Sequence, residues 1–469
     1  MPLFAHPLVG ILMTRKTRVE SLHVIEPHAA GIDVHAAVHW VAVPPGSATP
    51  RSGQPPDIRS FGTCTADLEA LADWLKQCGV TSVAMESTGV YWIPLFELLE
   101  RRGFTVLLVD PRQTRHAPGR PKSDRLDCQW IRRLHSCGLL TGSFRPGDSI
   151  VVLRGYLRQR QRLIADAGRQ VQHIQKALEE MNVKLAEVVS DVVGVTGMAI
   201  LKAILDGQRD TPTLAKLRHP NCHQTEKEIA RALAGNWRDE HLFTLKQAVQ
   251  LYETYHQLLT DCDKHIEDYL KSLADQSGGV KLPKKTRQRG QAANDPKFDA
   301  RTLLHRFSGV DLTVIETIEE STALVILSEI GPDVSKFPTE KHFTSWLGLC
   351  PQHRGSGGKI TSRRVRRGAN RAAKAFRLAA QGCHHAKHAL GAFYRRIRAR
   401  CGGPKAVVAT ARKIAERVYR LLKHGTEYVR REAEEVEANY RQKVVKGLSR
   451  RAAQLGYKLV SAAVEAPTG

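Results

Sequence analysis

Four acids, Asp33, Glu86, Asp124 and Asp127, are spaced as a metal-assisted phosphodiester site would need them. Hard Mg²⁺ prefers carboxylate oxygens, and two ions about 3.5–4 Å apart can activate an in-line attack on phosphorus. Asp33 lies in an apolar run at residues 31–43, where a charge is unusual without a task. Glu86 closes the run Ser82-Val-Ala-Met-Glu86, and Asp124 and Asp127, three apart, share one helix face. Each acid alone has an ordinary reading. Glu86 is a turn acid before Ser87-Thr88-Gly89, Asp124 a helix cap, and Asp127 a surface acid beside Arg125 or Arg132. Their joint placement is what points to chemistry.

A second candidate lies in the flexible polar loop Pro351-Gln-His-Arg-Gly-Ser-Gly-Gly-Lys359. Ser356 sits beside glycines that let the backbone approach a phosphate, with cations all around: Arg354, Lys359, Arg363, Arg364, Arg366 and Arg367. Two readings stand. The serine is a nucleophile that links covalently to phosphorus, or it belongs to a turn that only touches phosphate. Residue chemistry alone favours the second, because the motif holds no obvious general base and His353 reads as a phosphate contact.

The elements that must position these groups follow from periodicity. Residues 31–43 alternate as one strand, a Pro/Gly/Ser-rich loop fills 44–56, and a short strand is expected near 58–62. Residues 65–76 form an amphipathic helix capped by Thr65. Strand 82–86, helix 91–102, strand 104–109 and a helix from Ser123, packing through Leu126, Trp130 and Leu134, complete a mixed α/β sheet. From Ile150 an apolar stripe steps by threes and fours to Val188, a coiled-coil pattern that Gly194-Val-Thr-Gly197 breaks. Residues 240–273 could return antiparallel to it. Residues 277–299 read as a linker, and a further globular pattern runs from about Leu303 to Glu427.

The 469-residue chain carries a net charge of +24, which implies a polyanionic partner, with a membrane surface as the rival reading. Residues 341–415 hold 18 Lys or Arg and no Asp or Glu, and residues 341–469 hold 29 basic against 7 acidic side chains, so the excess is C-terminal and indicates nucleic acid. Arg371, Arg395, Arg396, Arg412 and Lys413 extend that surface. Aromatic residues are 6% of the chain, which gives little support to a base-stacking platform. The nine cysteines form no CxxC pair, so zinc is unsupported and reduced thiols in a cytoplasm are expected. No apolar run is long enough for a membrane span, and the start lacks the features of a signal peptide.

Six ordered motifs carry a resemblance. They are Gly31-Ile-Asp-Val-His35, Met85-Glu-Ser-Thr-Gly-Val-Tyr-Trp92, Val109-Asp-Pro-Arg112, Lys122-Ser-Asp-Arg-Leu-Asp-Cys-Gln129, Gly355-Ser-Gly-Gly-Lys359 and Arg367-Gly-Ala-Asn-Arg371, joined by the stretch 337–351 and by Ser190-Asp-Val-Val-Gly-Val-Thr-Gly197. The chain resembles, over residues 28–430, the RNA-guided insertion-sequence transposases of family one-ten, in their eleven-eleven branch. The resemblance implies an α/β plus all-α architecture. An RNase H/RuvC-like mixed sheet would come first, then coiled-coil helices, then a mainly helical transposase domain bearing an essential serine. Asp33, Glu86, Asp124 and Asp127 would bind Mg²⁺, with Mn²⁺ as an alternative, and Ser356 would be the nucleophile that joins DNA. One subunit's acids would serve another subunit's serine in a homo-oligomer, a dimer or tetramer. A noncoding bridge RNA would choose donor and target double-stranded DNA by pairing, and the protein would read shape and backbone.

The chain departs from the family in three places. Phe307-Ser-Gly-Val310 lacks the proline of a hairpin motif, residues 44–56 look inserted, and the segment before His28 has no counterpart. The expected segments are a lead-in 1–27, a RuvC-like domain 28–148, a coiled-coil domain 149–275, a linker 276–300, a serine-bearing domain 301–430 and a basic tail 431–469. Two rivals remain: a RuvC-like junction-resolving nuclease that uses water, and a nonenzymatic nucleic-acid scaffold.

Overall fold

The computed structural model describes residues 23–49, 57–114, 123–283, 292–352, 354–362, 364, 365, 368 and 370–460. The chain forms two compact units, Met1–Arg145 and Pro146–Gly469.

The first unit is built on five strands: β1 (Ala29–Val34), β2 (His39–Ala42), β3 (Ile58–Phe61), β4 (Ser82–Glu86) and β5 (Thr105–Val109). Their order is β3-β2-β1-β4-β5, with β1, β2 and β3 antiparallel and β1, β4 and β5 parallel, the mixed RNase H-like sheet expected. Helices α1 (Thr65–Gln77) and α2 (Trp92–Arg101) cover one face, and α3 (Asp124–Ser136) covers the other. The core on the α1/α2 face takes Ala30, Ile32 and Val34 from β1 with Leu71, Leu75, Leu95 and Leu99 from the helices.

The alternating run 31–43 is not one strand. It folds back at residues 35–38, which are exposed, and Asp33 pairs across the resulting hairpin with Trp40. Ala36 and Val38 continue the period-2 pattern through the turn, and no Gly or Pro marks the reversal, so periodicity alone hides it. The N-cap of α1 is Cys64 rather than Thr65. On α3 the buried positions are Cys128, Ile131, His135 and Ser136, whereas Leu126, Trp130 and Leu134 are only partly covered. The reason is Gly31. A Cβ there would fall within the backbone of Cys128 and Arg132, so α3 lies against bare strand backbone and turns its small Cys128 inward.

The second unit is helical. The long helices α4 (Asp148–Glu180) and α9 (Asp239–Ser272) run antiparallel, as the contacts Ser149 to Tyr269, Arg160 to Asp263 and Glu180 to His241 require. Between them α5 (Leu185–Val188), α6 (Val195–Leu205), α7 (Thr211–Ala215) and α8 (Glu226–Ala232) share a core with the end of α4. The apolar stripe therefore does not continue as one helix to Val188. α4 stops at Glu180 because Asn182 takes a left-handed conformation (φ 56°), and Gly194 is the N-cap of α6 rather than the breaker of α4. Arg160 and Asp263 form a buried, two-pronged ion pair (2.5 and 3.2 Å) in the α4–α9 seam, and Arg160 also donates to the carbonyl of Asn294.

The rest of this unit comprises α10 (Ala300–Ser308), α11 (Glu320–Ile330), α12 (Glu340–Trp346), a two-stranded hairpin β6 (Arg354–Ser356) and β7 (Lys359–Ser362), then α13 (Arg371–Gly382), α14 (Ala389–Cys401), α15 (Gly403–His424) and α16 (Thr426–Gln454). Phe337, Phe343, Trp346, Phe376 and Tyr419 make a connected aromatic cluster that joins α12, α13 and α15. Arg154 and Arg158 of α4 both reach the buried Glu329 of α11.

Candidate active site and nucleic-acid interface

The acid site begins with strand register. Ile32 pairs with Met85 in parallel β1 and β4, so Asp33, next to last in β1, and Glu86, last in β4, each follow that pair by one residue. Sites in open α/β sheets form at such carboxyl ends. Gly31 faces α3, and Asp33, two residues on, faces the same way. Ser123 caps α3 by accepting from the Leu126 amide, which places Asp124 and Asp127 in the first helical turn. There the exposed amide dipoles favour negative charge.

The fields of these acids overlap. Asp33 is 7% exposed, and burial raises its carboxyl above the usual range. Contact with His35 works against that rise, and the charges of Asp127 and Asp124 add to it. Glu86 is also raised, first by burial and then by Asp33, with a smaller push from Asp127. Hydrogen bonds from Thr114 (3.2 Å) and Thr88 (3.4 Å) fix the two Glu86 oxygens and partly offset the rise. Thr114 is itself held from α3, since Trp130 donates to its carbonyl at 3.1 Å. Like charges pressed together away from water favour a bound cation.

The donor set fits a hard divalent ion. Asp33, Asp124 and His35 each offer a ligand atom, all within 4.8 Å of one another. His35 Nε2 lies 3.0 Å from Asp33 Oδ2 and 3.7 Å from Asp124 Oδ1. Glu86 and Asp127 are not in this close group: Asp127 raises the carboxyls of both Asp33 and Glu86 by its charge, and Asp33 raises that of Glu86. The sequence expectation missed three members. His35 was legible as Asp-x-His on one strand face. Gly31 was legible only as a glycine before the acid, and Thr114 had no signal.

The serine segment is a hairpin, not a flexible loop. Ser356 pairs with Lys359 around Gly357 and Gly358, whose φ values of 56° and 73° fit a two-residue type I′ turn. The ladder continues below it through Gln352 N donating to the Arg364 carbonyl at 3.0 Å and a Pro351–Val365 bridge. Ser356, Lys359 and Arg364 are exposed. Arg363, Arg366, Arg367 and His353 lie outside the described residues, as does the side chain of Arg354.

The other expected phosphate contacts also carry structural bonds. Arg371 donates to Gln161 at 2.8 Å, Arg395 to the carbonyls of His384 and Ala386, and Arg412 and Lys413 pair with the buried Glu416. Arg396 lies over the Phe393 ring, 5.5 Å from its centroid. All nine cysteines are free thiols, and among the described residues no helix is long and apolar enough to cross a membrane.

Comparisons with known proteins meet this geometry at both ends. Residues 30–183, which contain all four acids, match the transposase family of the DEDD IS110 type. Residues 311–395, which contain Ser356, match the Transposase IS116/IS110/IS902 family. Two segments of the chain, in that order, are therefore similar to transposase domains of the IS110 type. It is also 34% identical over 138 residues to a Streptomyces coelicolor protein described as an insertion element IS110 uncharacterized 43.6 kDa protein. That similarity covers 29% of this chain and 34% of the relative.

Proposed function

We propose that this protein is a DNA transposase that cuts and rejoins strands through a phosphoserine link at Ser356, assisted by divalent metal at Asp33, Glu86, Asp124 and Asp127. The observation that carries the reading is that Asp33 and Glu86 each follow the paired Ile32 and Met85 on adjacent parallel strands, with both carboxyls raised and the charge of Asp127 acting on each. When bound there, Mg²⁺ or Mn²⁺ would supply Lewis-acid stabilisation of charge on the phosphate oxygens. Asp33 and Glu86 would hold the cation from the sheet, and Asp124 and Asp127 from the helix start. Thr114 and Thr88 would keep the Glu86 oxygens in one orientation.

The Ser356 Oγ would attack phosphorus. An Oγ–P bond forms, the bond from phosphorus to a deoxyribose oxygen breaks, and the serine proton passes to solvent while the departing oxygen gains one. A hydroxyl of the recipient strand then reverses the step and frees the serine. Lys359 and Arg364 would position the backbone phosphates without reading sequence. The family resemblance supports three finer points: a bridge RNA as the source of sequence choice, an oligomer in which acids and serine come from different copies, and membership of the eleven-eleven branch.

Strand cleavage by purified full-length protein with guide RNA and Mg²⁺ tests this. Ser356→Ala is expected to abolish cleavage, and Asp33→Asn to lower it on the order of 10³-fold. Cleavage that persists in Ser356→Ala but not in Asp33→Asn would instead select a water-using, junction-resolving nuclease.

A further inference from the structure

We propose that His35 is a nitrogen ligand to the cation held by the acid cluster, and that it tilts the site from Mg²⁺ toward Mn²⁺. The proposal rests on reading that cluster as a metal cradle. His35 is the first residue beyond β1, two after Asp33, and its ring reaches both Asp33 and Asp124 at the start of α3. Its Nε2 lies 3.0 Å from Asp33 Oδ2 and 3.7 Å from Asp124 Oδ1. Adjacent corners of an octahedron with bonds of about 2.1 Å are about 3 Å apart, and opposite corners about 4.2 Å. The two distances from His35 Nε2 fall between those limits, so its nitrogen suits a position around one ion shared with Asp33 and Asp124.

The chemistry gives the direction of the preference. Mg²⁺ seeks oxygen and gives up its waters reluctantly, so an imidazole adds little to its binding. Mn²⁺ also favours carboxylate, but as a first-row transition ion it takes an added imidazole nitrogen more readily than Mg²⁺ does, though less strongly than the later ions of the series. His35 is also held in place by its contact with Asp33, so little freedom is lost when it binds metal.

The test uses the full-length, metal-free chain with Mn²⁺ and with Mg²⁺ separately, comparing the native protein with His35→Ala, His35→Gln and Asp33→Asn. Calorimetry reads affinity, and pulsed electron paramagnetic resonance reads nitrogen coupling to bound Mn²⁺. The expected result is nitrogen coupling in the native protein that both His35 variants lose. Mn²⁺ affinity should fall about tenfold or more, with less than about a threefold change for Mg²⁺. Three results would overturn the proposal: no nitrogen coupling to Mn²⁺ bound at the native site, equal weakening of both ions, or tighter binding of both ions, which would make His35 only a competing positive charge. Mn²⁺ binding that ignores Asp33→Asn would remove the metal cradle itself, and His35 with it.

Discussion

The acid cluster and the serine hairpin are built in opposite ways. Asp33 is embedded in a fully buried strand, beside a helix that approaches closely because Gly31 has no side chain. Ser356 is the strand residue just before an exposed two-residue turn whose shape depends on two left-handed glycines. A site that holds metal must bring repelling charges together, and a rigid core can impose that arrangement. On the proposed function the serine would have to meet a large double helix, and an exposed turn gives the access that needs. Both regions depend on glycine, but Gly31 is required for space and Gly357 and Gly358 for backbone conformation.

The largest expected effect separates activity from stability. Asp33→Asn should lower strand cleavage on the order of 10³-fold, equivalent to ~4 kcal/mol of transition-state stabilisation. Because the Asp33 carboxyl is raised, its charged form opposes folding without metal, so the same variant should melt at or above the native temperature in chelator. A drop in melting temperature there would contradict the repulsive cluster.

Gly31→Ala should be destabilising by about 2–3 kcal/mol, because its Cβ has only backbone to displace, and cleavage should fall with it. Gly357→Val should act the other way round. Nothing lies within 4 Å of the added Cβ, so the cost is local strain of about 1–2 kcal/mol in the hairpin. Covalent joining should slow while the melting temperature barely moves, and Gly357→Asn should be tolerated better. If both glycine variants behaved alike in calorimetry and cleavage, the contrast between the regions would fail.

A titration probes the first unit alone. His39 is buried beside β1, its Nδ1 lacks a hydrogen-bond partner among the described residues, and burial with the nearby His35 lowers its pKa to about 4. The folded state therefore prefers neutral His39. The stability this confers is complete above pH 6.5 and is lost as pH falls from there toward about 4, by up to about 3 kcal/mol. His39→Phe should flatten the acid limb of a denaturation series, and an unchanged slope would contradict the assignment. The smallest effect belongs to Lys359→Ala, which should weaken DNA binding uniformly across sequences and reduce the salt slope by about one.

The sheet was legible because its strands and helices have clean periods, and Asp33 stood out as a candidate because charge in an apolar run is conspicuous. The turn at residues 35–38 was not, since small apolar residues continue the alternation through it. The end of α4 was hidden in the same way: apolar spacing persists past Glu180 while Asn182 redirects the backbone. The buried bond between Arg160 and Asp263 joins residues 103 apart, and no local pattern announces such a partner. At the site, individual acids could be read from sequence, whereas the register of Asp33 beside Glu86 and the support from Thr114 arise only from tertiary packing.

The most direct test of the account is to trap the joined state. Protein, guide RNA and metal would be incubated with a nicked DNA that cannot be rejoined, and the attached peptide mapped by mass spectrometry. The account predicts a DNA remnant on the peptide containing Ser356, absent in Ser356→Ala and reduced to background in Asp33→Asn. An adduct that survives in Ser356→Ala, or maps to another residue, would contradict it.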